Sequence, residues 1–204
     1  MNHSTSSSLL FGGTFDPPHH GHLIVARSAA EAVGADRVIL MPAAQSPHKQ
    51  GLTVATSPAS DRLAMCRAAV AGDPQFEVST LELDRPAPSY TYDTATELFQ
   101  QGFSCVRWLI GADQLLTLPR WHRAAELVQQ IDFVIAARPG SELDFDKLPE
   151  PFRRLKSSVV TIPRLEISST DIRQRVAGGK SIRYLVPPAV EQFIIARGLY
   201  RQPR

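Results

Sequence analysis

Short apolar runs recur along this chain, each followed by a longer stretch with the period of a helix, and that alternation limits the fold more than any other feature. The runs are "LLFGG" (9–13), "RVILMPA" (37–43), "FEVSTLEL" (76–83), "VRWLIGA" (106–112), "DFVIAARP" (132–139) and "VVTIP" (159–163). Between them lie helical segments at 22–33, 60–71, 91–101 and 121–130; in the first, Leu23, Ala26, Ala30 and Val33 share one face and Gly34 ends it. Strands separated by helices pair in parallel through right-handed crossovers, and they place ligands beyond their carboxyl ends, near the point where strand order reverses. The expected fold is α/β: a single Rossmann-like, doubly wound parallel sheet of about five to six strands with flanking helices. A weakly patterned stretch, 139–158, is expected as a surface loop. The segment after Pro187 and Pro188, closed by Gly198, is expected as a final helix.

At 204 residues the chain has the length of one domain with a sizeable core, expected over 8–204 behind a disordered polar tail, 1–7. Hydrophobic residues at 43% and charged residues at 21% exclude wholesale disorder and a fibrous protein. A formal charge of +2, from 22 basic and 20 acidic residues, speaks against a wide basic face for long nucleic acid and leaves room for a local pocket that holds a small anion. Cys66 and Cys105 form no CxxC pattern, so neither a zinc ribbon nor a redox motif is signalled. With no signal peptide and no apolar run near the roughly 18 residues of a membrane span, a reduced, cytoplasmic setting is expected. The oligomeric state stays open.

The clusters that carry chemistry all follow strand ends. In "LLFGGTFDPPHHGHL" (9–23), Gly12 and Gly13 remove side chains where a strand turns, so backbone N–H groups can approach a ligand closely. A tight turn between strand and helix is the plain alternative. Asp16 and Pro17 end regular structure, and a helix beginning near His20 or Gly21 points free N–H groups and its positive dipole end at the loop, which suits an anion. The loop is neither GxGxxG nor the Gly-Lys-Ser/Thr type. His19 and His22, three apart, are open to a structural role, to zinc or to phosphate. Zinc lacks partners: there is no HExxH, flanking cysteine or carboxylate at ligand spacing, so two donors for phosphate oxygens fit better.

As a whole, "GGTFDPPHHGH" resembles the signature of the HxGH nucleotidyltransferase superfamily, which contains the nicotinate-nucleotide and pantetheine-phosphate adenylyltransferases; His19-His20-Gly21-His22 is its core. A match with fixed Gly, Asp, Pro and His positions in a strand-to-helix context is far more specific than a lone glycine triplet. The resemblance implies direct attack of an acceptor phosphate on the α-phosphorus of ATP, releasing pyrophosphate without a covalent enzyme intermediate. It implies His19 and His22 as catalytic contacts to the triphosphate, and Gly12, Gly13, Thr14, Phe15 and Gly21 around ATP. It implies Mg2+ held by ATP phosphates and water, with no metal ligand from protein side chains. Joining two anions calls for alignment and preorganised positive donors more than for a nucleophile.

A second element, "EISSTDIRQRV" (166–176), reads by itself as a well-capped helix with Ser168 at the cap. It also matches the superfamily's ISSTxIR element, and the resemblance implies that Ser168, Ser169 and Thr170 hold ATP phosphates while Arg173 joins catalysis. "PSYTYDT" (88–94), "IGADQLLTLPRW" (110–121) and "SPHK" (46–49) resemble segments of the nicotinate-nucleotide branch. That likeness implies Tyr90, Thr91 and Trp121 around a pyridine ring, His48 and Lys49 near the acceptor phosphate, Gly111 and Asp113 beside the nucleotide ribose, and Arg138 on the adenine side. Taken singly, Trp121 is more often a packing residue, Asp113 reads also as a helix cap, His48 and Lys49 equally as an exposed basic loop, and Arg138 as a solvated strand end. Trp108, inside a strand, is assigned to the core. Many members carry asparagine and paired prolines before the His-Lys, where this chain has "PAAQSPHK".

The resemblance spans Leu9 to Arg201 and implies transfer of AMP from ATP to nicotinate mononucleotide, giving nicotinate adenine dinucleotide in NAD biosynthesis. One alternative is a pantetheine-phosphate adenylyltransferase, against which His19 and Trp121 speak. The other is a non-catalytic nucleotide sensor, which has no need of His19, His22 and Arg173 together.

Overall fold

The computed structural model describes residues 7–45 and 57–201. Among them, six strands form one parallel sheet: β1 (Ser8–Gly13), β2 (Arg37–Pro42), β3 (Phe76–Val78), β4 (Arg107–Gly111), β5 (Asp132–Ala137) and β6 (Val159–Thr161). Their order is β3-β2-β1-β4-β5-β6, so strand order reverses between β1 and β4, and the carboxyl ends of those two strands flank the crevice. The expected doubly wound sheet is present.

Successive side chains of a strand point to opposite faces, and the core divides accordingly. Leu10, Ile39, Trp108, Ile110, Phe133 and Ile135 join one cluster; Leu9, Val38, Leu40, Leu109, Val134 and Ala136 join the other. The helices are α1 (His20–Val33), α2 (Ala59–Val70), α3 (Thr91–Gln100), α4 (Ala112–Leu115), α5 (Ala124–Gln130), α6 (Ser169–Ala177) and α7 (Pro188–Arg197). α1 lays Ala26, Ala29 and Ala30, each 0% exposed, on the second face, where a stripe of small residues lets the helix lie close to the sheet. It stops at Gly34, whose φ of 63° is the left-handed conformation that glycine adopts freely. α3 and α5 cover the first face through Tyr92, Ala95, Leu98, Leu127 and Val128. A third cluster, with Met65, Ile172, Val190 and Ile194, joins α2, α6 and α7; each fully buried aliphatic side chain of this kind contributes about 1.5–3 kcal/mol.

Three expectations need correction. The run 76–83 is strand only to Val78: Ser79 N–H still donates to Leu40 O of β2 at 2.9 Å, and from there the Ser79 and Thr80 side chains bond local groups and the chain turns away from the edge. The Ser79 hydroxyl accepts from Leu81 N–H at 3.2 Å, and Thr80 Oγ1 donates to Asp84 at 2.6 Å. The helix expected over 121–130 begins at Ala124: Leu118–Arg120 is a 3-10 turn, and Arg123, with φ of 51°, breaks the path between them. The stretch 139–158 is no plain surface loop, since its 3-10 turns Phe145–Lys147 and Phe152–Ser158 bury Phe145, Leu148, Phe152 and Leu155 against the first face.

Candidate active site

Two cavities open at the carboxyl ends of β1 and β4. The larger, about 650 Å³, is lined by His19, Gly21, His22, Gly111, Asp113, Arg138, Ser168 and Ser169. The smaller, about 220 Å³, is lined by Gly12, Gly13, Tyr90, Thr91 and Trp121, with Glu82, Ser89, Arg120 and His122. Residues expected around ATP thus gather mainly in one cavity and those expected around the pyridine ring in the other. Gly12 and Gly13, expected on the ATP side, border the smaller cavity. His48 and Lys49 lie outside the described residues.

Gly12 and Gly13 face aromatic rings as well as the cavity. A Cβ at Gly12 would stand 2.7 Å from Trp108 Cζ2, and one at Gly13 would stand 3.1 Å from Phe15 Cζ. Trp108, 3% exposed, is core as expected, and its ring also forms cavity wall. Phe15 is 2% exposed and packs edge-on to His22, with ring centroids 5.1 Å apart, so its side chain supports the site from behind. Thr14 lines neither cavity, and its carbonyl accepts from Arg62 at 2.9 Å.

His19 caps α1 and His22 is its third helical residue. The two imidazoles close a reciprocal capping box: His22 N–H donates to His19 Nδ1 at 3.3 Å, and His19 N–H donates to His22 Nδ1 at 3.2 Å. The rings stack with centroids 3.7 Å apart. Burial pushes the His19 imidazole down to about 4, with His20 adding a smaller push, and burial pushes His22 down as well, with His19 as the second cause. Both rings are therefore neutral near pH 7. A neutral ring whose Nδ1 accepts a hydrogen bond carries its proton on Nε2, so the cap fixes each ring as an Nε2–H donor. The backbone at this helix start is less free than the sequence suggests. His20 N–H donates to Leu185 O at 3.0 Å, and among the described residues only Gly21 N–H in this first turn lacks an acceptor.

α6 supplies the opposite side. Ser168 Oγ accepts from Asp171 N–H at 3.0 Å, the expected cap, while the Ser169 hydroxyl donates to Pro17 O at 2.8 Å. Ser169 and Thr170 keep their N–H groups free among the described residues. Arg173 donates to Asp16 O at 2.8 Å and to Thr170 Oγ1 at 3.2 Å, holding α6 to the turn before α1.

That turn rests on a buried hub with no counterpart in the sequence reading. Asp16, 2% exposed, accepts from Tyr200 OH at 2.6 Å and from Ser57 N–H at 3.1 Å. Arg62, also 2% exposed, donates to the carbonyls of Ser57, Thr14 and Ala44. Burial and the nearby Asp16 carboxylate push the Tyr200 phenol well above its ordinary range, so it stays a donor. In the smaller cavity, His122 stacks on Tyr90 with centroids 4.4 Å apart, a contact hinted at only by its place next to Trp121. Among the described residues no group of three or more His, Cys, Asp or Glu side chains could hold a metal ion. No helix among them is long and apolar enough to cross a membrane.

The family described as cytidylyltransferase-like matches residues 10–175. A protein of Roseiflexus sp. (strain RS-1), named "Probable nicotinate-nucleotide adenylyltransferase", is 46% identical over 94% of this chain and 96% of its own length. One of the same name from Exiguobacterium sibiricum is 47% identical over 94% and 97%. Among solved structures, the Plasmodium falciparum nicotinic acid mononucleotide adenylyltransferase complexed with NaAD superposes with a TM-score of 0.75 at 18% identity, covering 96% of this chain and 97% of that one, a likeness of fold. On the family match and the identity to these relatives, the chain belongs to the nicotinate-nucleotide adenylyltransferases of the cytidylyltransferase-like family.

Proposed function

We infer that this protein transfers AMP from ATP to nicotinate mononucleotide, giving nicotinate adenine dinucleotide and pyrophosphate. One observation carries the reading: an aromatic-walled cavity and a larger, donor-lined cavity flank the same strand end, with the His19–His22 box at the larger one. ATP takes the larger cavity, with Asp113 at the ribose, Arg138 toward the adenine and the phosphates between the starts of α1 and α6. The acceptor places its pyridine ring against Tyr90, Thr91 and Trp121, and its phosphate toward the β1 end.

The acceptor's phosphate oxygen forms the new bond to the α-phosphorus, and the bond from that phosphorus to the bridging oxygen breaks. Pyrophosphate leaves with the electron pair. Neutral Nε2–H groups of His19 and His22 donate to oxygens on which charge grows, and the free N–H groups of Gly21, Ser169 and Thr170 add fixed donors. Arg173, tied to Asp16 and Thr170, brings permanent positive charge to the same side. The donor set suits phosphate oxygens rather than a metal, so Mg2+ held by those oxygens and water would supply charge neutralisation. Two free cysteines, one buried and one exposed, suit a reducing cytoplasm.

Purified protein with Mg-ATP, assayed for pyrophosphate release, should use nicotinate mononucleotide and be far slower with phosphopantetheine. A preference for phosphopantetheine, or no turnover with either acceptor, would overturn the reading.

A further inference from the structure

The transfer makes no use of a carboxyl group buried in the acceptor cavity. Glu82 lines that cavity and is 3% exposed. Burying a carboxylate costs several kcal/mol unless hydrogen-bond donors surround it. Here Thr94 Oγ1 donates to it at 2.7 Å, the Ser89 hydroxyl is a second partner, and Arg85 Nη2 stands 4.0 Å away.

Each partner also holds the turn that delivers Tyr90 and Thr91. Ser89 Oγ accepts from Ala44 N–H at 2.9 Å, which ties the turn to the end of β2. Arg85 donates to Tyr90 O at 3.3 Å, bonds Thr94 Oγ1, and pairs with Glu97 at 3.2 Å. Thr94, 0% exposed, lies one turn into α3. At the start of that helix the N–H groups of Thr91, Tyr92 and Asp93 have no acceptor among the described residues, and Thr91 borders the cavity. Burial pushes the Glu82 carboxyl up, against the downward pull of Thr94, Arg85 and Ser89, which limits its repulsion of an anionic ring substituent.

We propose that Glu82 is the positioning residue for the acceptor's ring: through Ser89, Thr94 and Arg85 it fixes the Ser89–Thr91 turn, so that the free N–H groups opening α3 and the Tyr90–His122 wall receive a planar ring bearing a carboxylate. The proposal rests on the acceptor assigned above. It separates ring recognition from phosphate chemistry, because the network touches no residue of the His19–His22 box.

Steady-state kinetics of Glu82→Ala and Glu82→Gln, with each substrate varied at a saturating level of the other, test it. Glu82→Ala should raise KM for nicotinate mononucleotide about tenfold or more while KM for ATP and kcat stay within about twofold, and it should lower the preference over nicotinamide mononucleotide. Glu82→Gln, which keeps the side chain's length and one acceptor oxygen for Thr94, should recover most of the loss. Should Glu82→Ala fail to fold, Ser89→Ala should shift the same KM and not that for ATP. Equal rises in both KM values, an unchanged acceptor KM, or glutamine no better than alanine would overturn the proposal and leave the assigned function standing. Wild-type protein that makes no dinucleotide would instead remove that function, and the proposal with it.

Discussion

A methyl group on residue 21 would stand 2.9 Å from His19 Nδ1, 3.0 Å from His19 Cε1 and 3.5 Å from Ile167 Cβ. Comfortable contact for such atoms is about 3.5 Å, so Gly21→Ala demands that the imidazole yield by roughly half an ångström. The ring has little room, since His22 stacks on it at 3.7 Å and His19 is 5% exposed. Turning the ring breaks the already long 3.3 Å bond from His22 N–H and carries Nε2 away from its aim. For stability the two effects nearly cancel: alanine gains up to about 1 kcal/mol over glycine in a helix, and a lost side-chain cap costs about 1 kcal/mol. For catalysis they do not, because a donor displaced by up to about 1 Å can cost on the order of 100-fold. Gly21→Ala should therefore melt within about 4 °C of wild type while kcat falls roughly 10- to 100-fold. Differential scanning calorimetry and pyrophosphate release measure the two quantities. A kcat within about twofold of wild type would refute the claim that this glycine protects the aim of His19.

Removing a donor outright, His22→Ala should lower turnover about 100-fold or more with a smaller change in ATP binding, and equilibrium titration with ATP beside kcat separates the two. His19 titrates at about 4 in the folded chain and about 6.5 in the unfolded one, so between those values only the unfolded chain takes up the proton. This contribution to stability is complete above about pH 6.5 and falls as the pH drops toward 4, by at most about 3 kcal/mol. Urea unfolding at about pH 7.5 and about pH 5 should show that slope in wild type and a shallower one in His19→Asn; identical slopes would contradict it. Tyr200→Phe takes a hydroxyl from the buried Asp16 carboxylate and should cost about 1.5–3 kcal/mol, read as a lower urea midpoint.

The sheet was legible because each strand announces itself by an apolar run, and the first βα turn because its glycines and histidines admit few alternatives. Gly34 and Gly198 marked helix ends correctly, since both adopt positive φ. β3 is shorter than its apolar run because "FEVSTLEL" reads like a strand throughout, while the Ser79 and Thr80 side chains bond nearby groups. Past that bend Glu82 lines the smaller cavity, a position that a strand continued to Leu83 does not suggest. The spacing of Phe145, Leu148, Phe152 and Leu155 was a helical signal hidden among prolines and charges. Asp16, Arg62 and Tyr200 could not be read locally, because the contact of Tyr200 with Asp16 joins positions 184 apart. The His19–His22 spacing is visible in the sequence, whereas the exchange of backbone bonds that fixes their tautomer exists only in the folded turn.

The Tyr200 hydroxyl gives the order of synthesis a meaning. The turn that seats His19 precedes the group that steadies its aspartate by 184 residues. A growing chain can assemble its parallel strands and tie that turn to Ser57, Ser169 and Arg173 first, and Asp16 gains its last partner only with the arrival of Tyr200. A chain cut just before Tyr200 would keep all six described strands and lose the hydroxyl that Asp16 accepts from.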